Sequence, residues 1–242
     1  MPDPTELLMA WETGLSTRAP RRALLLHALA SPAAMVEDLL DVPVGARDAD
    51  LFGLRGSLFG ERMPVRATCP HCGEEIEFDF AVDQVPQRAT RGPEALRVES
   101  GEWTVRSRVP TVGDLLAAAD AGSGEEARRI MLSRCVVSAS RGGTPVAAED
   151  LPPHVQEQIA EAAAAADPCA DIRLKLTCPE CGRQATAELD IASYLWAEVD
   201  AWARGTLLDV HLLAVAYGWT EPEILALSPT RRRHYLELSG HA

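Results

Sequence analysis

The sequence predicts an α+β protein, mostly helical, with a small antiparallel sheet built around two paired-cysteine turns. Three observations lead there. Apolar residues recur at helical intervals over residues 1–62 and again over 191–242. Between these regions, stretches of alternating polar and apolar residues mark half-buried strands. Those strands flank two related sequences, TCPHCG at 68–73 and TCPECG at 177–182.

Taken in order, PTELLMAWETGL is a short amphipathic helix with Trp11 on its apolar face. APRRALLLHALA follows, with Pro20 suited to a first helical turn. SPAAMVEDLL predicts a third helix with Ser31 as N-cap and Pro32 at its first position. VGARDADLFGLRGSLFG spaces Leu51, Leu54, Leu58 and Phe59 as a fourth, in which Gly53 and Gly56 weaken the helix or permit close packing. At Met63 the pattern changes. Ile76, Phe78 and Phe80 alternate with Glu75, Glu77 and Asp79, the period of a strand. QVPQRATRGPE is a Pro/Gly/Arg connector, and the segments around Gly101 predict a hairpin. Helices are predicted at 111–120, 125–139 and 150–166. IRLKLT leads into the second cysteine turn and QATAELDI leads out. In the helical tail, Thr220 to Glu223 form a capping box containing Pro222, and Ser228 with Pro229 start the last helix.

This divides the chain into an N-terminal helical region (1–62), a first ribbon hairpin (63–83), an insertion with hairpin and helices (84–170), a second ribbon hairpin (171–190) and a C-terminal helical region (191–242). The pattern of helix, strand, T-C-P-x-C-G and strand occurs at 44–80 and again at 150–191. It reads either as an old duplication or as two knuckles of one site.

With 242 residues, 47% apolar and 24% charged, the composition is that of an ordinary globular protein. No apolar run approaches the ~20 residues of a membrane span. The acidic opening MPDPTELLMAWETG lacks the basic start of a secretory signal, which predicts a cytoplasmic location. A net charge of -13 argues against a broad nucleic-acid footprint, which needs clustered Lys and Arg.

Four of the six cysteines lie in the two C-x-x-C-G turns. In a cytoplasmic protein such pairs point to metal or redox chemistry. Each turn offers two thiolates, and a closed structural zinc site takes four. The simplest solution is one zinc ion held by Cys69, Cys72, Cys178 and Cys181, a zinc ribbon split by the 105 residues between Cys72 and Cys178. A redox C-x-x-C would open a helix, whereas both turns lie between strands. Two separate sites would each need two more ligands. His71 has no counterpart at Glu180 and is expected to point outward, while Cys135 and Cys169 read as small buried thiols.

Four thiolates leave no open position for catalysis. The sequence contains no H-E-x-x-H, deaminase, G-x-S-x-G or P-loop motif. His27 and His211 fall in apolar helical stretches, and the pairs Glu125–Glu126 and Glu149–Asp150 suit helix starts. Nothing here points to an enzyme. Arg231, Arg232, Arg233 and His234 read as a solvated helix face, with contact to an acidic partner as the alternative. The tail residues Leu208, Leu212, Val215, Trp219, Ile224, Leu225, Tyr235 and Leu236 read as packing between the last helices, or as a partner-binding patch where exposed.

The run VPVGARDADLFGLRGSLFGERMPVRATCPHCGEEIEFDF and the closing VHLLAVAYGWTEPEILALSPTRRRHYLEL resemble the T4-type baseplate hub assembly proteins of contractile phage tails and phage-like contractile injection systems. The resemblance implies a non-enzymatic assembly chaperone or minor structural part. Its partners would be baseplate, hub or spike proteins, with no nucleic acid or membrane, and it would be cytoplasmic before incorporation into a particle. The zinc expectation rests on the cysteine spacing, not on the family. From another class, a zinc-ribbon adaptor in a nucleic-acid-associated complex is the alternative.

Overall fold

The computed structural model of the protein describes residues 2–81 and 96–240. The predicted connector over 84–94 lies outside the described residues. Four helices open the chain: α1 (Pro4–Leu15), α2 (Ala19–Ala30), α3 (Val36–Leu40) and α4 (Val44–Phe59). The first cysteine hairpin follows as β1 (Arg62–Thr68) and β2 (Glu75–Ala81). The segment between the two cysteine hairpins, for brevity the insertion, comprises β3 (Leu96–Ser100), β4 (Trp103–Ser107), α5 (Val112–Ala119), α6 (Gly124–Cys135), β5 (Val136–Arg141), β6 (Thr144–Pro145) and α7 (Pro153–Ala166). The second cysteine hairpin is β7 (Arg173–Thr177) and β8 (Gln184–Glu188). Three helices close the fold: α8 (Ile191–Tyr217), α9 (Glu221–Leu225) and α10 (Pro229–Leu238).

The α+β class holds, with the strands divided among three antiparallel sheets. Each cysteine hairpin is its own two-stranded sheet, and β3-β4-β5-β6 form a third within the insertion. The main core gathers around α8, whose buried positions Ile191, Leu195, Val199 and Ala203 repeat every four residues along one face. Against that face pack Leu7 and Trp11 of α1, Leu26 of α2, Leu51, Phe52 and Leu54 of α4, and Met63 and Phe80 of the first hairpin. Val98, Val105, Ala139, Leu151, Val155 and Ile159 make a second core between α7 and the insertion's sheet.

Local chemistry sets the boundaries. Asp3 and Glu6 form a reciprocal capping box on α1, and Thr220 with Glu223 does the same on α9. Ser31 departs from expectation. Its backbone N–H donates to the carbonyls of His27 and Ala28, so it closes α2, and α3 begins only at Val36. The predicted helix over 125–139 ends at Cys135, because β-branched Val136 and Val137 begin a strand that pairs with β4. The predicted helix at 150 starts at Pro153, after a short 3-10 turn over Ala148–Asp150.

The insertion is tied to the first helices by polar contacts. α4 lacks a side-chain cap of its own, but Asp167, far along the chain, accepts from the Gly45 N–H at 2.8 Å. A Cβ at Gly45 would lie 1.9 Å from the Asp167 carboxylate, so no larger residue fits that contact. Val44 N–H donates to Pro110 O and Val112 N–H to Val42 O, both at 3.0 Å. Fully buried Asp114 accepts from Arg108, Arg134 and the Thr111 N–H. Burial opposes its ionisation, but these donors prevail and hold its carboxyl well below the usual range.

Arg55 is the most buried of the described arginines, at 2% exposure. Its guanidinium makes paired bonds to Glu198 of α8 at 2.9 and 2.7 Å and donates to the carbonyls of Gly60 and Arg62. Arg55→Met would leave Glu198 and two carbonyls without their donor, and should lower stability by about 3 kcal/mol. Urea unfolding measures this, and an unchanged midpoint would contradict it. Asp48 offers a pH test. Burial pushes its carboxyl up to about 6 against the opposing pull of Arg47. The folded state therefore binds more protons than the unfolded chain between pH about 4 and about 6, and stability falls as pH rises across that window. Asp48→Asn should flatten the slope there in pH-dependent melting, and a slope that persists would assign it elsewhere.

Candidate metal centre

Each cysteine turn is built by the same backbone device. Strand pairing ends at Thr68–Glu75 in one hairpin and Thr177–Gln184 in the other, immediately before the first cysteine. The Cys69 N–H donates to Glu74 O at 2.8 Å, and Cys178 N–H donates to Arg183 O at 2.9 Å. Gly73 N–H returns to Cys69 O and Gly182 N–H to Cys178 O. The two glycines have φ of 78° and 68°, left-handed values that favour glycine and let each turn close behind its second cysteine. The knuckles are thus equivalent hydrogen bond for hydrogen bond, although their flanking side chains differ.

The structure brings the two turns together. The sulfurs of Cys69, Cys72, Cys178 and Cys181 all lie within 4.8 Å of one another. The cross-hairpin pairs Cys69–Cys181 and Cys72–Cys178 are 3.8 and 3.6 Å apart. These separations far exceed the ~2.05 Å of a disulfide. A tetrahedral ion with Zn–S bonds of about 2.3 Å would place its sulfurs about 3.8 Å apart. Cys69 and Cys178 are buried beside Ile76 and Phe78, while Cys72 lies at the surface. His71 is exposed, with its Nε2 3.2 Å from the Gln184 carbonyl, so it links the hairpins without entering the sulfur cluster.

The acid–base chemistry of the cluster also suits a cation. The backbone N–H groups of His71 and Cys72 pull the Cys69 thiol down to about 6. The Glu74 N–H favours a Cys72 thiolate too, but hydrogen bonding to the surrounding sulfurs, Cys69 first, pushes that thiol up to about 12. One thiolate therefore opposes the next, and a divalent ion among them would remove the conflict. The donor set fits zinc: four soft sulfurs within 4.8 Å of one another and no position left over.

The other singled-out residues are dispersed. Cys135 is buried 3.7 Å from Asp114, its thiol pushed up to about 11 chiefly by burial. Cys169 is buried in the turn Pro168–Ala170 and is not one of the clustered sulfurs. His27 is buried with Nε2 3.3 Å from Asp50, whereas His211 is exposed on α8. Arg231 and Arg233 are exposed, but Arg232 corrects the solvated-face reading. It turns inward between α10 and α8, where its Nε lies 3.8 Å from Asp209. Sequence reasoning missed the contacts that seat the first hairpin: Arg55 on Glu198, and the Tyr194 hydroxyl donating to Pro64 O at 3.0 Å. The available signal was a lone arginine among Leu51, Phe52, Leu54 and Leu58 on an apolar helix.

The fold is thus a helix-rich body carrying two hairpins whose cysteine turns converge. A family model described as T4 bacteriophage base plate protein matches residues 32–195, more than half of the chain. The chain belongs to that family. The match spans both cysteine turns and the insertion, and ends in the first turns of α8, so the closing helices lie outside it. No curated protein and no solved structure matches the chain. Among the described residues, no helix is long and apolar enough to cross a membrane.

Proposed function

We propose that the protein acts by binding, not catalysis, as an assembly chaperone or minor structural part of the hub or baseplate in a contractile tail or injection system. Family membership supports the baseplate setting. The observation that carries the mechanism is the convergence of four sulfurs from turns 105 residues apart. In this reading Cys69, Cys72, Cys178 and Cys181 hold one structural zinc ion. The segment 84–170 is an insertion carried between two ribbon hairpins, 63–83 and 171–190, with helical regions at 1–62 and 191–242. The zinc fixes the relative orientation of those parts, and the surface so shaped engages hub, spike or other baseplate proteins.

Untagged protein purified without chelator and with reduced thiols should contain about one zinc per chain. Cys69→Ser or Cys178→Ser should lose the metal and lower the melting temperature by at least about 5 °C, since metal binding is coupled to folding. Full-length protein without zinc, or variants with unchanged metal content and melting, would defeat the shared site. The wild-type protein should co-purify with co-expressed hub or spike proteins, and its deletion should leave particles with defective baseplates. Normal baseplates in the deletion strain would reject the assembly role.

A further inference from the structure

The sulfur cluster has an inner and an outer layer. Cys69 and Cys178, the first cysteine of each turn, are 1% exposed, whereas Cys72 and Cys181, the second of each, reach the surface. Each outer sulfur touches an inner one from the other hairpin: Cys72 meets Cys178 at 3.6 Å, and Cys181 meets Cys69 at 3.8 Å. Each contact therefore joins an accessible thiol to a protected one, and the two contacts together use all four.

Which sulfurs are paired decides what a covalent bond between them would hold. The cross-hairpin pairs link residues 112 and 106 positions apart, so a bond at either keeps the two hairpins joined. A bond inside one C-x-x-C turn would close only that turn and leave the hairpins free to part. Two contacts between the hairpins do not involve a metal. His71 Nε2 lies 3.2 Å from the Gln184 carbonyl, and Ile76 and Phe78 of the first hairpin pack with Cys178 of the second. The pairs are thus held in place by the fold as well as by an ion.

The chemistry follows from access. Metal-held cysteines are thiolates, the form that hydrogen peroxide oxidises, and oxidation favours the exposed sulfur. At Cys72 the thiolate takes one peroxide oxygen and the other leaves as water, giving a sulfenic acid. The Cys178 thiolate then attacks that sulfur. A sulfur–sulfur bond forms, and the sulfenic oxygen leaves as a second water after taking up protons. Cys181 and Cys69 react in the same way. Both pairs together consume two peroxides and four protons, and yield two disulfides and four waters. Disulfide sulfurs are no longer thiolate ligands, so a zinc ion held there is set free.

We propose that the cluster is a site of peroxide modification, at which disulfides Cys69–Cys181 and Cys72–Cys178 replace the metal and keep the two hairpins joined. The clasp would thereby survive a change from a reducing to an oxidising compartment. The inference rests on the shared-zinc reading and adds what the site becomes on oxidation. Cys135 and Cys169, at 7% and 2% exposure and outside the cluster, stay as thiols and serve as internal controls.

The test titrates the full-length, zinc-loaded protein with hydrogen peroxide, using a colorimetric chelator to follow zinc and non-reducing mass spectrometry to map the bonds. Zinc release should be complete at about two equivalents of peroxide. Trypsin cuts within neither TCPHCG nor TCPECG, so the peptides carrying them should emerge linked to each other. Partial reduction with differential alkylation should assign Cys69 to Cys181 and Cys72 to Cys178. The oxidised, zinc-free protein should melt close to the zinc-loaded one, while protein stripped of zinc by chelator under reducing conditions should melt at least about 5 °C lower. Dithiothreitol with added zinc should restore the starting state. Disulfides within each turn, a Cys69–Cys178 or Cys72–Cys181 pairing, or oxidised protein that melts like the reduced zinc-free form would overturn this inference and leave the shared-zinc reading standing. Untreated protein without zinc would overturn both. No variant is needed, so misfolding cannot account for either result.

Discussion

The placement of the first cysteine hairpin depends on one buried cation. Arg55 projects from α4 and is almost wholly removed from solvent, which would be costly for a lone guanidinium. Here the cost is offset by a two-pronged pair with Glu198 and by the carbonyls of Gly60 and Arg62. Those carbonyls lie where the chain leaves α4 and enters β1, so the same group that binds α8 also fixes the corner. Its guanidinium sits 5.8 Å from the ring centre of Tyr194, whose hydroxyl holds β1 at Pro64. Helix, corner, strand and α8 are thereby locked at one point.

That lock matters because the second hairpin is joined to α8 directly. β8 ends at Glu188, and Asp190 caps α8 by accepting from Ala192 and Ser193 N–H groups. One end of α8 therefore receives the second hairpin through the chain and the first through Arg55 and Tyr194. The two knuckles meet because both are referred to one rigid helix. Closing a loop of such length is entropically costly, but the cost rises only slowly with length. The contacts of Asp167 with Gly45 and of Val44 with Pro110 add further closures along the way. The insertion is thus fastened near both ends to the start of α4.

Much of this was legible because local chemistry carries it. The two turns are written in consecutive residues, and Cys, Cys and Gly at fixed offsets define both the ligands and the bend. Capping boxes at Asp3 and Thr220 and the hairpin at Gly101 are equally local. What escaped was decided at a distance. Arg55 carries no sign in its neighbours that Glu198 waits 143 residues away. The α4 start has no cap of its own because Asp167 supplies it. Ser31 can serve either helix beside it, and the carbonyls of α2 take its N–H first. Val136 and Val137 fit a helical count, yet they open the strand that pairs with β4, Val136 opposite Ser107. Arg232 looks like its neighbours in sequence, and only the packing of α10 on α8 separates it from them. The sulfurs' meeting lies between these cases: spacing proposes it, and long-range packing delivers it.

α8 joins these levels. Its N-terminal half spends its apolar face on the main core, where Leu195, Val199 and Ala203 have no exposed surface. Beyond Thr206 only Leu213 is fully buried, against Ile224 and Leu236 of the two short closing helices. The distal half is consequently held by fewer apolar contacts while carrying larger apolar side chains on its outer face. A helix selected only for the stability of the isolated chain would place polar residues at Leu208 and Val215 and a better helix former at Gly205. These departures fall on one arc. The half of α8 that the core leaves least supported is thus the half that exposes apolar side chains, and the geometry fixed at Arg55 and the cysteine turns determines where that face points.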